Sequence, residues 1–164
     1  MPNTLAISSR IVEDLYREAL ALSDDVRASF ALSDQLERPQ RAAIKTGDRR
    51  ADPARLAYSR EGLRTTTRMM HAIAWLLNHR AYFMAQMSEA QLRRHGRLSP
   101  DLLASVQADT PLLAPDIARL VERTCSFYER LLRLDEDWRL SQPETAPASA
   151  IERLRQRIEN RLAS

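Results

Sequence analysis

The sequence has few of the residues that β-rich and disulfide-stabilised folds need. It contains only 3 glycines and 1 cysteine among 164 residues, so an intramolecular disulfide is excluded. No apolar run approaches the roughly 18 residues of a membrane-spanning helix. Residues 1–16 show neither the basic nor the apolar region of a signal peptide. These absences favour an all-α protein, and we expect it to be cytoplasmic.

The residue patterns of common catalytic and metal sites are also missing. His71, His79 and His95 are not spaced as a His-x-x-x-His pair, and no Glu-x-x-His or cysteine cluster occurs. Cys125 falls at the edge of an apolar helical face, so we interpret it as a packing residue. The acidic residues 135–137 are interpreted as a solvated charge cluster. We therefore expect no enzymatic activity, no cofactor and no bound metal.

Positive charge is concentrated in the middle of the chain, between acidic flanks. Residues 1–37 hold three Arg against seven acids, residues 38–97 are basic, and residues 98–140 are again acidic. One interpretation is a nucleic-acid or anionic-surface binder that uses the Arg-rich residues 38–55 and the tail. We favour the other interpretation, in which the basic middle faces its own acidic neighbours. Nucleic acid is then not an expected partner.

Three long amphipathic helices are predicted from apolar residues that recur at three- and four-residue steps. The first covers residues 9–37, and Pro39 is expected to stop it. The second covers residues 53–86. The third begins at Pro111 or Pro115, because two prolines four residues apart do not both fit inside one helix. The predicted inner face consists of Ile11, Leu15, Ala19, Leu22, Val26 and Phe30 on the first helix and of Leu113, Ile117, Leu120, Val121, Thr124, Phe127, Leu131, Leu134 and Trp138 on the third.

These helices predict a three-helix bundle, most simply antiparallel, in a domain of residues 1–140. A short accessory helix is predicted after Ser88, with Gln91 completing a capping box and Gly96 ending the helix. Another short helix is predicted from Ser99 and Pro100 onward.

The tail, residues 141–164, combines a polar linker with a narrow apolar seam. A segment this short is marginal as an isolated helix, so it needs the bundle, a second copy or another protein as a partner. We predict a flexible tail that folds on binding, with its arginines attracted to an acidic surface. Removing the residues after Leu140 should then leave the melting temperature almost unchanged. The seam residues are Ile151, Leu154, Ile158 and Leu162.

The second helix is apolar over more than half of its circumference, which indicates contacts on more than one side. Met69, Leu76 and Phe83 widen the apolar surface and are predicted to pair two copies in a homodimer. The main apolar arc is interpreted as core, so Leu77→Ala should cost roughly 2–5 kcal/mol. That arc consists of Leu56, Leu63, Thr66, Thr67, Met70, Ile73, Ala74, Leu77, Ala81 and Met84.

The remaining arc of this helix is polar and has two interpretations. The first is a solvated face that also pairs with acidic residues of neighbouring helices, and the second is a protein-docking strip, since Arg, Trp and Tyr often anchor interfaces. A surface position predicts that Arg68→Ala and Trp75→Ala weaken partner binding but leave stability nearly intact. The candidate protein-binding residues are Glu61, Arg64, Arg68, His71, Trp75, Asn78, His79 and Tyr82.

The densest motif is "YSREGLRTTTRMMHAIAWLLNHRA" at residues 58–81, followed by "MSEAQ" at residues 87–91. Its Thr-Thr-Arg-x-Met, Trp-Leu-Leu and Arg-Ala groups, in this order and spacing, resemble the RcdA family, the regulators of CtrA degradation. Outside this region the similarity is limited to length and helical character. The matching positions are Tyr58, Glu61, Arg64, Thr66, Thr67, Arg68, Met70, Trp75, Leu76, Leu77, Arg80 and Ala81.

The resemblance implies a non-enzymatic cytosolic adaptor, built as a three-helix bundle that dimerises. Such adaptors help bring cell-cycle regulators such as CtrA to the ClpXP protease, together with adaptors such as CpdR. Tethering of this kind raises the effective concentration of cargo at the protease. On this interpretation Glu61, Arg64, Arg68 and Trp75 are the exposed candidates for partner contact.

Overall fold

The chain forms an all-α bundle, as the sequence predicts. The computed structural model describes residues 7–43, 53–103 and 110–141, and these residues contain no strand. Single 3-10 turns occur at Pro100–Leu102 and Thr110–Leu112. The α-helices are α1 (Ser9–Ala43), α2 (Pro53–Phe83), α3 (Glu89–His95) and α4 (Pro115–Ser141).

Two helix boundaries differ from the sequence prediction. α1 continues through Pro39 to Ala43, because an internal proline removes one hydrogen bond and distorts a turn without obliging the helix to end. α2 ends at Phe83 rather than at residue 86, and Ala85 then adopts a positive φ of 57°. Of the two candidate prolines, Pro115 begins α4, in the first helical position that suits proline.

The short helix α3 has the predicted capping box. Ser88 Oγ accepts the Gln91 N–H at 3.2 Å, and Gln91 Oε1 accepts the Ser88 N–H at 2.9 Å. Gly96 follows the helix and donates its N–H to the Leu92 carbonyl at 2.8 Å. The second predicted short helix is a single 3-10 turn, capped by Ser99.

α1 runs antiparallel to both other long helices. Against α2, Glu13 near the start of α1 accepts a hydrogen bond from Arg80 at 2.6 Å. Against α4, Glu18 pairs with Arg130 at 2.6 Å and Asp25 pairs with Arg123 at 3.2 Å. The acidic N-terminal segment thus pairs with arginines of its own chain, as expected, although two of its partners lie on α4 rather than in the basic middle.

α2 and α4 run parallel to each other, whereas in the antiparallel bundle that the sequence predicts each long helix runs opposite to the one before it in the chain. Arg68 bonds Thr124 at 2.8 Å, and farther along both helices Trp75 bonds Asp135 at 3.0 Å. A parallel pair requires the chain to cross back along the bundle. The chain between α2 and α4, which we call the return segment, makes this crossing, and its described residues, 84–103 and 110–114, place α3 and the two 3-10 turns against these helices.

The core confirms the predicted inner faces of α1 and α4 but not that of α2. Gly62 permits a close approach of α1 to α2, because an added Cβ would lie 2.9 Å from Phe30 Cδ1. Residues 142–164 lie outside the described residues, so the flexible tail stays a prediction. The predicted inner residues found buried are Ala19, Leu22, Val26, Ile117, Leu120, Val121, Thr124, Phe127 and Leu131.

Candidate protein-docking surface

α2 turns into the bundle the arc that the sequence analysis places in solvent. Glu61 and Arg68 are 0% exposed, Trp75 is 2% exposed and His79 is 1% exposed. The predicted exposure of these four residues is therefore wrong, and none of them is available to a docked partner in the folded protein. The other members of the predicted binding set are the half-buried Arg64, Asn78 and Tyr82 and the exposed His71.

Arg68 is the centre of a buried polar network that joins α2 to α4. Its Nη2 lies 3.8 Å from Glu61 Oε1, which also accepts the Thr65 hydroxyl at 3.0 Å. Its Nη1 donates to Thr124 Oγ1 at 2.8 Å, and its Nε and Nη2 both donate to the Leu102 carbonyl at 3.2 Å. Burial of this charge is tolerated because every guanidinium nitrogen has a partner.

Asp135 is the centre of a second buried network, about two helical turns before the end of α4. Its Oδ1 accepts the Trp75 indole N–H at 3.0 Å, and its Oδ2 accepts the Leu98 backbone N–H at 3.4 Å. Arg139 Nε donates to both carboxylate oxygens, at 3.2 and 3.1 Å. Asp135 is only 4% exposed, which corrects its assignment to a solvated cluster.

His79 is enclosed by aromatic rings beside this second network. It stacks on Trp75 with ring centroids 3.8 Å apart and meets the edge of Trp138 at 5.4 Å. Its Nδ1 donates to the Trp75 carbonyl at 3.0 Å. Burial lowers the pKa of His79 below its ordinary value of 6.5, against the opposing effects of this hydrogen bond and of Asp135. The ring is therefore neutral at pH 7.

The return segment is fastened to the same two helices. The Tyr128 hydroxyl of α4 donates to the Ser99 carbonyl at 2.8 Å, and burial raises the pKa of this phenol to about 12. Leu98 is 4% exposed. Residues 98–102 are thus bonded to α2 through Arg68 and to α4 through Asp135 and Tyr128.

The opposite face of α2 presents an apolar stripe to solvent. Leu63 is 73% exposed and Met70 is 65% exposed. The stripe residues recur every seven positions, so they lie in one nearly straight line along the helix. We call Leu56, Leu63, Met70, Leu77 and Met84 the α2 outer stripe.

This orientation reverses the predicted homodimer strip. Met69 and Leu76 are core residues, 3% and 0% exposed, whereas Phe83 alone of that set is exposed. The prediction is wrong because it assigns the faces of α2 by polarity alone. The polar arc is buried instead, where Arg68 pairs with Glu61 and the Trp75 indole bonds Asp135, although Glu61 Oε2 and His79 Nε2 have no hydrogen-bond partner among the described residues. One signal was available: Glu61, Arg68 and Trp75 also recur every seven residues, which is the spacing of a contact seam.

Other kinds of site find little support in the described part of the chain. No group of three or more potential metal ligands occurs there, and none of its helices is long and apolar enough to cross a membrane. Cys125 is half-buried, and burial raises the pKa of its thiol. A protonated, half-buried thiol fits the packing role that the sequence predicts.

In its described residues the protein is an all-α helical bundle with an apolar stripe exposed on one face of α2. The chain belongs to the family described as "Protein of unknown function (DUF1465)", whose model matches residues 4–162. No curated protein and no solved structure matches it.

The burial pattern predicts very different losses of stability for two alanine substitutions on α2. Trp75→Ala should destabilise the protein by about 3–5 kcal/mol, because it leaves a cavity and removes a hydrogen-bond donor from buried Asp135. Leu77→Ala should cost no more than about 1 kcal/mol, because Leu77 lies on the outer stripe. Urea unfolding of the two variants measures both values, and a larger loss for Leu77→Ala would contradict the observed orientation of α2.

His79 predicts a loss of stability in mild acid. Its folded-state pKa lies below 6.5, so as the pH falls the unfolded chain binds the proton first, and the free energy of unfolding decreases by up to about 1.4 kcal/mol per pH unit. Urea unfolding at pH 7.5, 6.5 and 5.5 should show this decrease in the wild type and in the control His71→Gln. The decrease should be smaller in His79→Gln; an unchanged pH dependence in that variant would rule out His79 as its source.

Proposed function

We propose that this protein is a non-enzymatic adaptor similar to the RcdA family, which helps deliver cell-cycle regulators such as CtrA to the ClpXP protease with a CpdR-like adaptor. The observation that carries the proposal is the α2 outer stripe, an extended apolar surface on a helix whose other side is fixed by buried networks. Such a surface serves binding, because contiguous exposed apolar patches mark interaction sites.

Residues 58–81, which resemble the RcdA family, contribute both to the core and to the exposed surface of α2. Glu61, Arg68 and Trp75 are buried anchors of α2, whereas Met70 and Leu77 of the same motif are exposed on the outer stripe. One helix therefore supplies both the internal network and the external surface. A rigid support lowers the entropy lost when a partner is bound.

A second copy of the chain fits the outer stripe well, so we include a homodimer in the proposal. The stripe is symmetric about Met70: reversing its direction exchanges Leu63 with Leu77 and Leu56 with Met84. A twofold interface requires such a self-complementary surface. Ala74, exposed beside the stripe, is small enough to permit close approach of two helices.

The size of the stripe sets the expected strength of the dimer. Each partly exposed Leu or Met contributes on the order of 1 kcal/mol when covered, about half the value for full burial. Ten such side chains in a symmetric pair contribute about 10 kcal/mol, which is of the same order as the entropy cost of association. We therefore expect an exchanging dimer rather than a permanent one.

Met70→Glu should convert the dimer into a monomer. The substitution places two carboxylates at the twofold axis in an apolar contact, while the core of each copy is untouched because Met70 is 65% exposed. Sedimentation velocity at micromolar concentration measures the change, and far-UV circular dichroism checks helicity. His71→Glu, one residue away on the polar edge of the stripe, is the matched control and should stay dimeric. A monomeric wild type under these conditions would eliminate the dimer.

Adaptor activity is tested by capture and by reconstitution. Affinity capture from the native cell should recover an unfoldase or its adaptors, and addition of the protein to ClpXP and a CpdR-like adaptor should speed the degradation of CtrA. Recovery of chromosomal proteins alone, together with DNA binding that weakens steeply with salt, would favour the nucleic-acid alternative and reject the proposal.

A further inference from the structure

A shallow pocket lies beside the α2 outer stripe, where α1 packs against α2. Its volume is about 400 Å³. The half-buried rings of Phe30 and Tyr58 form its floor, with centroids 4.9 Å apart, and the exposed Ser59 and Thr66 lie at its rim. Leu63 of the outer stripe also lines it, so the pocket opens directly onto the stripe.

Gly62 provides the space for this pocket. An added Cβ would lie 2.9 Å from Phe30 Cδ1, so the Phe30 ring lies against the α2 backbone where another residue would place its side chain. The Tyr58 hydroxyl donates to the Ser29 carbonyl at 2.9 Å, which fixes the second ring and satisfies its polar atom. The pocket therefore presents aromatic carbon to a side chain that enters it.

We propose that Leu77 of a second copy inserts into this pocket, once on each side of the twofold axis of the homodimer. The inference rests on the homodimer of the proposed function and adds which side chain is inserted and where. In a twofold interface each contact occurs twice, with the roles of the two copies exchanged. Each copy thus supplies one Leu77 side chain and one pocket.

The spacing along α2 places Leu77 at the level of the pocket. With Met70 at the twofold axis, a residue before Met70 lies opposite the residue that is equally far after Met70 in the second copy. Leu63 and Leu77 are each seven residues from Met70, or about 10 Å at 1.5 Å per residue. Leu77 of the second copy is therefore level with Leu63, which lines the pocket.

The rotation around α2 places Leu77 on the same side as the pocket. Leu77, Thr66 and Gly62 lie about 20°, 40° and 80° from Met70 around the helix, all in the direction of α1. The twofold axis of an antiparallel helix pair lies in the interface and is perpendicular to both helices, so the α1 sides of the two copies lie on the same side of the dimer. Leu77 of the second copy consequently leans toward the pocket.

The chemistry of the two surfaces also matches. Leu77 is 43% exposed in the isolated chain, and its aliphatic side chain would lie on the aromatic floor. None of the residues that line the pocket is charged, so the contact forms without removing a charge from water. Side chains that fill a pocket of the partner in this way dominate the binding energy of many interfaces.

Disulfide formation between copies tests the contact. In a Cys125→Ala background, copies with Thr66→Cys are mixed with copies with Leu77→Cys and oxidised mildly. This pair should form a disulfide at least about tenfold faster than Thr67→Cys mixed with Leu77→Cys, because a disulfide requires Cα atoms within about 7 Å and Thr67 lies on the edge of the stripe away from the pocket. Each rate is divided by the rate at which the same cysteines react with a small disulfide, which corrects for their different exposure.

Sedimentation velocity provides a second measurement. Leu77→Ala should raise the dissociation constant of the homodimer at least about tenfold, because a side chain is lost from both pockets. Phe83→Ala is the matched control: Phe83 is 39% exposed, similar to Leu77, but lies about 140° from Met70 around α2. The control should change the dissociation constant by less than about twofold. Far-UV circular dichroism checks the helicity of each variant.

Three results would overturn the inference. Equal disulfide rates for Thr66→Cys and Thr67→Cys would show that Leu77 does not enter the pocket, and so would an unchanged dissociation constant for Leu77→Ala. Both results leave the homodimer itself intact. A monomeric wild type would eliminate the homodimer and this inference together. None of the three affects the capture and degradation tests of adaptor function.

Discussion

The buried guanidinium of Arg68 is the contact on which the rest of the structure depends. It bonds one helix through Thr124, the return segment through the Leu102 carbonyl, and its own helix through Glu61. A charge buried in this way contributes little net stability relative to apolar packing, but it becomes costly if any partner is lost. Its physical effect is to disfavour small rotations of α2, because they would break the contacts to Thr124, the Leu102 carbonyl or Glu61 while the guanidinium stays buried.

The same constraint explains why the residues of the α2 outer stripe face solvent. Once Glu61, Arg68, Trp75 and His79 occupy the inner side, the helical period places Met70 on the outside. The core loses some apolar area, and the surface gains an apolar stripe.

Local patterns were sufficient to predict much of the fold but not the rotation of α2. The capping box at Ser88 and the inner faces of α1 and α4 depend on neighbours three or four residues apart, so the sequence contains them directly. The rotation of α2 depends on Thr124 and Asp135, which lie 56 and 60 residues away from their partners. No helical wheel includes such partners, and polarity alone therefore assigned the two faces of α2 in reverse.

The candidate site was missed for the same reason. Leu63, Met70 and Leu77 were correctly grouped on one arc, because their spacing is a local property. Whether that arc meets solvent or core is a property of the assembled bundle. The burial of Asp135 likewise depends on the Trp75 indole, which lies 60 residues away. The acidic residues 135–137 by themselves do not indicate that partner.

The parallel course of α2 and α4 has a consequence for the order of folding. Their contacts close a loop of 31 residues between Phe83 and Pro115, and closing such a long loop costs conformational entropy before any contact offsets it. α1 and α2 are joined more directly, and Tyr58 meets the Ser29 carbonyl only 29 residues away. We expect the α1–α2 pair to form early and the docking of α4 to limit the rate, which would make this protein a slower folder than a simple up-and-down bundle of similar length.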